Sequence, residues 1–539
     1  MAELTSVFGI NSGFDTAKVV EQLVALQSRP IDINLAKRDA QVEKLETFQE
    51  LKSRLASFKT VLNTLNKNNR FISTQGEFSP TGTTSSDIVD ITTTSSATSG
   101  TFSLSVTQLA REAKLTSEGF ASLDTQIPMG TLEIVAGGTT TLININSSNN
   151  TLDGLRLAIN NSGAEVTANF VNDGSSTNPF RLTLSGNKTG ADNTVTARIF
   201  TANLGIGEQT VLAFNETQAP QDALLELDGI SISKSSNTVT DIINGAILNL
   251  RGEGTGQVKL STDLSEIRDK VNDFVTEYND LIEYIQELNQ FNPQTLESGK
   301  LFGNYAVQNL QNILRSTVSG EVSGAQGPFG FLSQVGVTTQ SDGKLTLETS
   351  KLNDALQSNL NNVADLFSSR ATVDNVHTTF IGFTEKTQAG TYDIRVQGGQ
   401  VQIRRQGEAD FVDATGTGNF FAGPEGHASE GLNFRLASLA DGDYGSITLA
   451  VGVAETLNRQ MSFLTDQGQN GPITSEINTL TETIDDLDDT LLRLDERVAE
   501  FERNIKDRFA NLEIILGRLN TQKESFASSI ASIQNAFKQ

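Results

Sequence analysis

The apolar residues near the end of the chain recur with a helical period. Residues 473–537 contain no proline and a single glycine, Gly517. One row of apolar residues is spaced by seven throughout: Ile477, Ile484, Leu491, Val498, Ile505, Leu512, Leu519, Phe526 and Ile533. This spacing is typical of a coiled-coil helix, whose narrow apolar seam packs against another helix. We therefore predict one long coiled-coil helix over 472–539, which needs a partner helix.

The start of the chain has a second helical pattern. Apolar residues follow helical spacing from about 17 to 65, and Pro30 is expected to break the pattern into two helices. The second helix would carry a seam made of Leu45, Phe48, Leu51, Leu55, Phe58, Leu62 and Leu65. We predict an N-terminal helical leg over 1–70. Its seam is one candidate partner for the C-terminal helix, and the same helix in another copy of the chain is the other.

Between the helical ends the pattern changes to that of β-strands. Short runs with alternating apolar residues, separated by Ser, Thr, Asn and Gly, extend from about 71 to 263. We predict a β-rich head region with two nested β domains, at about 71–115 with 220–263 and at 116–219. Within it, Ile88–Ile91 and Phe102–Val106 are expected to pair as a hairpin. One short helix is expected at about 152–160.

Helical periodicity returns at 264, and a second β segment follows it. A helical domain with an Asp-Gly hairpin is predicted over 264–370, and an additional β domain with a linker over 371–471. The strand sequence GTYDIRV in the additional domain resembles the earlier GTFSLSV, as a duplication would produce. The predicted fold class is α+β and multidomain, with long coiled-coil helices from both termini enclosing inserted antiparallel β-rich domains.

The composition restricts the classes of function. The 539 residues include 40 Lys and Arg against 65 Asp and Glu, and this formal net charge of −25 opposes binding to nucleic acid or anionic membranes. There is no cysteine, no secretory signal pattern and no apolar run of about 18 residues. We expect a large soluble protein with no nucleic-acid partner and no membrane insertion.

Residue patterns that support catalysis are scarce. The two histidines, His377 and His427, fit no metal-binding spacing and are expected to be solvated or loop residues. The sequence has no phosphate-binding loop and no nucleophile elbow. Paired carboxylates such as Asp485 and Asp486 belong to a helix face that water would solvate. The sequence therefore predicts no catalytic residue, no cofactor and no metal site.

Several stretches resemble the bacterial flagellar filament cap family, also called flagellar hook-associated protein 2. In order, they are GINSGFD followed by Leu23 and Val24, then GTFSLSVTQLA, TLDGLRLAINNSGAEV, NDFVTEYNDL and VGVTTQSDGKL. The resemblance covers about 7–367 and 473–539. Roughly 370–471 departs from the shorter members of the family.

The resemblance implies a non-enzymatic assembly protein. Family members form a homo-oligomeric ring at the extracellular tip of the filament, retain flagellin, and promote its folding and insertion. The implied partners are other copies of the chain, flagellin and the filament tip, the flagellar type III export apparatus and an export chaperone. The predicted interface is the nine-residue row of the C-terminal helix together with Leu51, Phe58 and Leu65. Contacts with neighbouring subunits are expected from its last members: Ile505, Leu512, Leu519, Phe526 and Ile533.

Two other classes stay open at this point. One is another axial flagellar protein of the hook–filament junction, which would also have helical ends around β domains. The other is an adhesin or tail-fibre-like protein that binds glycans through the β domains, against which the absence of Trp argues.

Overall fold

A computed structural model describes residues 15–82, 87–203, 207–468 and 470–536. The GINSGFD motif therefore lies outside the described residues except for Asp15. The last three positions of the predicted C-terminal helix, 537–539, also lie outside them. The helices are α1 Thr16–Leu65, α2 Asn68–Phe71, α3 Leu152–Asn160, α4 Leu264–Asn289, α5 Tyr305–Ser319, α6 Thr349–Phe367, α7 Val453–Thr465 and α8 Pro472–Ala536. Long helices at both ends and antiparallel sheets between them confirm the α+β class.

The chain divides into two compact units, 68–269 and 1–67 with 270–539. The strands of the 68–269 unit are β1 Thr74–Pro80, β2 Val89–Thr93, β3 Gly100–Gln108, β4 Glu112–Phe120, β5 Gly130–Ala136, β6 Thr139–Ile145, β7 Val166–Asn172, β8 Phe180–Thr189, β9 Val195–Asn203, β10 Gly207–Ala213, β11 Asn215–Gln218, β12 Ala223–Leu227, β13 Ile230–Lys234, β14 Thr238–Val239, β15 Ala246–Leu250 and β16 Gly254–Thr262. They form two cores, and the boundaries of the five predicted domains stay a prediction.

The first β unit consists of β1–β3 and β12–β16. Its sheets have the orders β1-β16-β3-β12-β13 and β14-β15-β2, and they share one apolar core. The predicted hairpin between β2 and β3 is wrong, because β2 pairs with β15, where Ile91 lies opposite Leu248, and β3 pairs with β12 and β16. Partners from much later in the chain occupy both edges of β3, so the Ser- and Thr-rich segment before it carries the chain from one sheet to the other.

The second β unit consists of β4–β11 and α3. Its sheets have the orders β10-β9-β5-β6 and β11-β4-β8-β7. Leu132, Ile199 and Leu184 from the strands and Leu155 from α3 are fully buried in its core. The predicted short helix is confirmed as α3, whose N-cap Thr151 accepts a hydrogen bond from the backbone of Gly154 at 3.0 Å.

The other unit contains α1, α4–α8 and the remaining strands. These are β17 Phe291–Asn292, β18 Glu297–Ser298, β19 Val337–Thr339, β20 Leu345–Leu347, β21 Ser369–Val373, β22 Thr378–Gly382, β23 Gly390–Gln397, β24 Gln400–Arg405, β25 Val412–Asp413, β26 Thr415–Thr417, β27 Phe420–Ala422, β28 Asn433–Leu436 and β29 Gly442–Val451. The Asp-Gly hairpin is confirmed as β19 and β20, with Gly343 in the turn at a φ of +89°.

The predicted break of α1 at Pro30 is wrong, because the helix runs without interruption from Thr16 to Leu65. Proline lacks the N–H that would bond to the carbonyl four residues earlier, on Leu26. Leu26 is 57% exposed, so water can replace the missing hydrogen bond. A helix face exposed to water therefore tolerates a proline that a buried helix interior would not.

Aromatic side chains fill the core between the helices. The ring of Phe58 on α1 lies 6.0 Å from that of Phe274 and 6.3 Å from that of Tyr278, both on α4. Phe274 also meets Phe367 at the end of α6, at 6.1 Å between ring centroids. These rings are fully buried, so the second half of α1 is a core element.

The third β unit consists of β21–β29 and is inserted between α6 and α7. Its sheets have the orders β21-β29-β23-β24-β25 and β22-β28-β27-β26. Its own core includes Tyr392, Ile403, Phe434 and Ile447. The chain enters and leaves the unit at adjacent positions, since Ser369 pairs with Val451.

Candidate functional site

The two terminal helices, α1 and α8, pack against each other as an antiparallel pair. At the end of α1, Asn66 donates a side-chain hydrogen bond to Glu455 at the start of α7, at 2.9 Å. α7 is followed directly by α8, and further along the pair Arg38 bonds to Asp488 at 2.8 Å. α8 therefore runs back along α1 towards Thr16, and the predicted neighbourhood of the two terminal helices is confirmed.

The partner of the C-terminal seam agrees with the expected one only in part. Ion pairing of Arg38 with Asp488 places the middle of the seam against the first half of α1, so that only the start of the seam, near Ile477, lies opposite the Leu45–Leu65 stretch. The Asp488 carboxylate also raises the pKa of the Arg38 guanidinium, chiefly through its charge. The apolar pattern does not indicate the first half of α1 as a partner if Pro30 ends a helix.

The helix α8 extends well past the start of α1. Both helices rise by about 1.5 Å per residue, so with Arg38 opposite Asp488 the start of α1 at Thr16 lies opposite about residue 510. α8 continues to Ala536, which is about 40 Å further. We call residues 511–536 the distal segment.

The predicted seam residues fall into two groups according to their burial. Ile484 is 9% exposed, and Ile477, Leu491, Val498 and Ile505 are half-buried. Ile505 was expected to contact neighbouring subunits, and that contact stays a prediction. In the distal segment the exposed fractions are much larger, at 45% for Leu512, 53% for Leu519, 72% for Phe526 and 55% for Ile533. The first group packs within the chain, and the second leaves an apolar stripe in contact with water.

Further exposed apolar residues adjoin this stripe. Ile530 is 51% exposed and lies on the same seam, and Ile514 and Ile515 are 53% and 52% exposed beside it. These three residues lie outside the predicted interface, although Ile530 follows Phe526 at the seam spacing of four.

The three predicted interface residues of α1 lie in the core. Leu51, Phe58 and Leu65 have no exposed surface, and Phe58 packs on the α4 aromatic rings described above. The structure does not bring them together with the distal segment, which lies at the other end of the helix pair. Their contact with another subunit stays a prediction.

His427 in the third β unit forms a Glu-His-Ser trio like that of a catalytic site, but substrate cannot reach the serine. His427 Nε2 lies 2.8 Å from Glu408 Oε2, and His427 Nδ1 lies 2.7 Å from Ser429 Oγ. Ser429 is fully buried, so no substrate can reach its hydroxyl. The hydrogen bond from His427 lowers the pKa of Glu408. This trio therefore holds two loops together, and His427 is a loop residue, as one of the two expectations for it stated, with both ring nitrogens paired.

Other chemistry is not evident in the described ranges. They contain no group of three or more His, Cys, Asp or Glu residues placed to hold a metal ion. None of the helices in those same ranges is long and apolar enough to cross a membrane. The exposed stripe of the distal segment is therefore the candidate functional site.

Comparisons with known proteins identify the family. The chain matches the family models described as the C-terminus of flagellar hook-associated protein 2 over residues 220–521 and as its N-terminus over residues 12–113. Flagellar hook-associated protein 2 of Escherichia coli K12 is 31% identical over 389 residues, which is 68% of this chain and 80% of that protein. The B-type protein of Pseudomonas aeruginosa PAO1 is 30% identical over 387 residues, covering 66% and 78%.

A solved structure is also similar to this chain. The crystal structure of the D1-D2-D3 domains of the flagellar cap protein FliD from Escherichia coli shares 30% sequence identity, with a TM-score of 0.45. The match covers 59% of this chain and 89% of that one. The family models and the relatives agree, and the chain belongs to the flagellar hook-associated protein 2 family.

Proposed function

We propose that this chain caps the distal end of the bacterial flagellar filament. It would act there as a homo-oligomeric ring that retains flagellin and promotes its folding and insertion. The observation that carries the proposal is the distal segment, a helix end on which five apolar seam residues are between 45% and 72% exposed: Leu512, Leu519, Phe526, Ile530 and Ile533. The family membership supplies the context, since relatives are named hook-associated protein 2 and a similar structure is named a flagellar cap protein.

The exposed stripe is suited to packing against another helix. A helix end of this length owes much of its stability in water to packing of its apolar face. The stripe continues the seven-residue spacing of the packed part of α8, and such a seam accepts the matching seam of another helix. The proposed partners are helices of neighbouring copies, and of flagellin at the filament tip.

The free energy of this contact favours binding at the filament tip, where several contacts form at once, over the pairing of two free chains. Completing the burial of a half-exposed Leu, Ile or Phe contributes about 1 kcal/mol, so the five seam residues Leu512, Leu519, Phe526, Ile530 and Ile533 contribute on the order of 5 kcal/mol. Two free proteins lose a comparable free energy on association. Pairing of isolated chains should therefore be weak, whereas several simultaneous contacts at a filament tip add up.

The remaining assignments follow from the same proposal. The cap would work outside the cell, which requires passage through the flagellar type III export apparatus and binding to an export chaperone. No catalytic step is part of the proposed function. The twelve predicted interface residues then have two roles: those up to Ile505, with Leu51, Phe58 and Leu65, hold the chain together, and those from Leu512 onward contact other subunits.

The test is a double substitution, Leu512→Asp with Leu519→Asp, introduced into a strain that lacks its cap protein. We expect the variant to be exported but to restore neither motility nor filament length, because two carboxylates cannot enter an apolar helix seam. Leu492→Asp is the matched control. Leu492 is 64% exposed on the same helix but outside the seam, so this variant should restore both.

Normal motility and normal filament length in the double variant would remove the distal segment from the proposed contact. Rescue of a strain that lacks a hook–filament junction protein, but not of a capless strain, would favour the junction alternative.

A further inference from the structure

The third β unit repeats a sequence pattern of the second β unit. Both contain Gly-Phe, Thr-Gln, Gly-Thr, Ile and Gly-Gly in the same order, with spacings that differ by at most two residues. The positions are Gly119, Phe120, Thr125, Gln126, Gly130, Thr131, Ile134, Gly137 and Gly138 in the second unit, and Gly382, Phe383, Thr387, Gln388, Gly390, Thr391, Ile394, Gly398 and Gly399 in the third. GTYDIRV thus matches GTLEIVA of β5 within a longer pattern than it shares with GTFSLSV of β3.

The strands that carry this pattern have the same connections in both units. β5 lies between β6 and β9, and β23 lies between β24 and β29. In the opposite sheet β8 lies between β4 and β7, and β28 lies between β22 and β27. The two Gly-Gly turns both have positive φ, at 54° and 81° for Gly137 and Gly138 and at 60° and 75° for Gly398 and Gly399, which is the turn that a tight hairpin requires.

The loop before the hairpin also has the same local geometry. The backbone N–H of Ser122 donates to Thr125 Oγ1 at 3.1 Å, and that of Thr384 donates to Thr387 Oγ1 at 3.2 Å. Phe120 and Phe383, which precede these turns, each pack on the core of their own unit. The two loops therefore present equivalent backbone carbonyls.

What binds these carbonyls differs between the units. In the second unit the carbonyls of Leu123 and Thr125 accept hydrogen bonds of 3.1 and 3.2 Å from the backbone N–H groups of Asp153 and Leu152. These donors form the N-terminus of α3, where backbone N–H groups have no partner within the helix.

In the third unit, residues 406–419 between β24 and β27 hold β25 and β26 where the second unit has α3. The equivalent carbonyls, of Glu385 and Thr387, accept hydrogen bonds of 3.0 and 2.7 Å from Arg459 Nη1 of α7.

We infer that the third β unit is a second copy of the second β unit in which Arg459 of α7 replaces the N-terminus of α3. A guanidinium offers several N–H donors and a positive charge, which are the properties that a helix N-terminus presents to two carbonyls. Arg459 is thus a positioning residue that completes the unit from outside. This inference does not depend on the proposed cap function.

The surroundings of Arg459 fix it in this role. Its side chain is 17% exposed, its Nε donates to Glu455 at 2.9 Å, and its guanidinium lies 5.4 Å from the ring of Phe383. Glu455 in turn accepts the hydrogen bond from Asn66 at the end of α1. A continuous set of contacts therefore joins the loop of the third β unit to the base of the α1–α8 pair.

The test is hydrogen–deuterium exchange of the full-length chain, read by peptide mass spectrometry. Arg459→Met keeps the length of the side chain but removes its donors, and should speed exchange at 384–389 by roughly tenfold or more, since two charge-assisted hydrogen bonds are lost. Arg459→Lys keeps one cationic donor group and should give an intermediate rate. Exchange in the 68–269 unit should not change in either variant.

Asn66→Ala is the matched control, because it removes the hydrogen bond to Glu455 at the base of the α1–α8 pair while leaving Arg459 and its bond to Glu455 in place. It should leave exchange at 384–389 close to that of the unchanged chain. The inference is overturned if Arg459→Met leaves the loop protected, since the third β unit would then be complete without α7. It is also overturned if Asn66→Ala loosens the loop as much as Arg459→Met does, since the loop would then respond to the stability of the helices rather than to Arg459.

Discussion

Substitution of Phe58 by alanine tests the division of the predicted seam into core and contact residues. Phe58 has no exposed surface and packs its ring at 6.0 and 6.3 Å from the rings of Phe274 and Tyr278. Truncation of a buried Phe costs about 3–5 kcal/mol. Leu512→Ala is the comparison, and because Leu512 is 45% exposed its truncation should cost only about 1 kcal/mol.

The composition provides an assay that is specific for one unit. The chain has no Trp, and its five Tyr residues lie at 278, 284, 305, 392 and 444, all within the unit formed by 1–67 and 270–539. Tyrosine fluorescence during urea unfolding therefore reports on that unit alone. We expect Phe58→Ala to lower its free energy of unfolding by about 4 kcal/mol. Equal losses for Phe58→Ala and Leu512→Ala would refute the assignment of Phe58 to the core and Leu512 to the contact surface.

Three further outcomes follow from the third β unit. Burial raises the pKa of Tyr392 to about 12. Its contribution to the free energy of unfolding is therefore complete below the ordinary tyrosine pKa and is lost as the pH rises through about 12. Tyrosinate absorbance, which reports ionisation, and tyrosine fluorescence, which reports unfolding, should change together near that pH. The hydrogen bond from His427 lowers the pKa of Glu408, so Glu408→Gln should reduce the stability at neutral pH and weaken its decline in acid, as measured by urea unfolding against pH. Gly398→Ala should cost about 1 kcal/mol, since Gly398 has a φ of 60°, whereas Gly442→Ala, at an equally open position without a positive φ, should melt like the unchanged chain.

Features encoded by neighbouring residues could be predicted from the sequence. The long helix α8, the short helix α3 and the Asp-Gly hairpin follow from local spacing or turn residues, and all three occur in the structure. Pairing between distant segments could not be predicted. Nothing around Ile91 indicates that its partner is Leu248, because alternation sets which face of a strand is buried and not which strand lies beside it.

The candidate site was predicted only in part, for a related reason. The spacing of seven is unchanged from Ile477 to Ile533, so the pattern cannot show where packing within the chain ends. That point depends on which other segments of the chain lie along α8, and a helix that ended at Pro30 would leave out the half of α1 that does so. The repeat of the β units left a signal in the sequence, but insertions of one or two residues between its conserved pairs obscure it.

The junction of the third β unit has a consequence for how this family can change. The N–H of Gly452, just after the unit, donates to the carbonyl of Ser368, just before it, at 3.0 Å. A Cβ on residue 452 would lie 2.3 Å from the Phe367 backbone, so the close approach of the two strands requires glycine there. Because the two ends of the third β unit are already in contact, the whole unit can be gained, lost or exchanged at this junction without moving α6 or α7. The same junction is a suitable site for inserting a foreign domain into the protein.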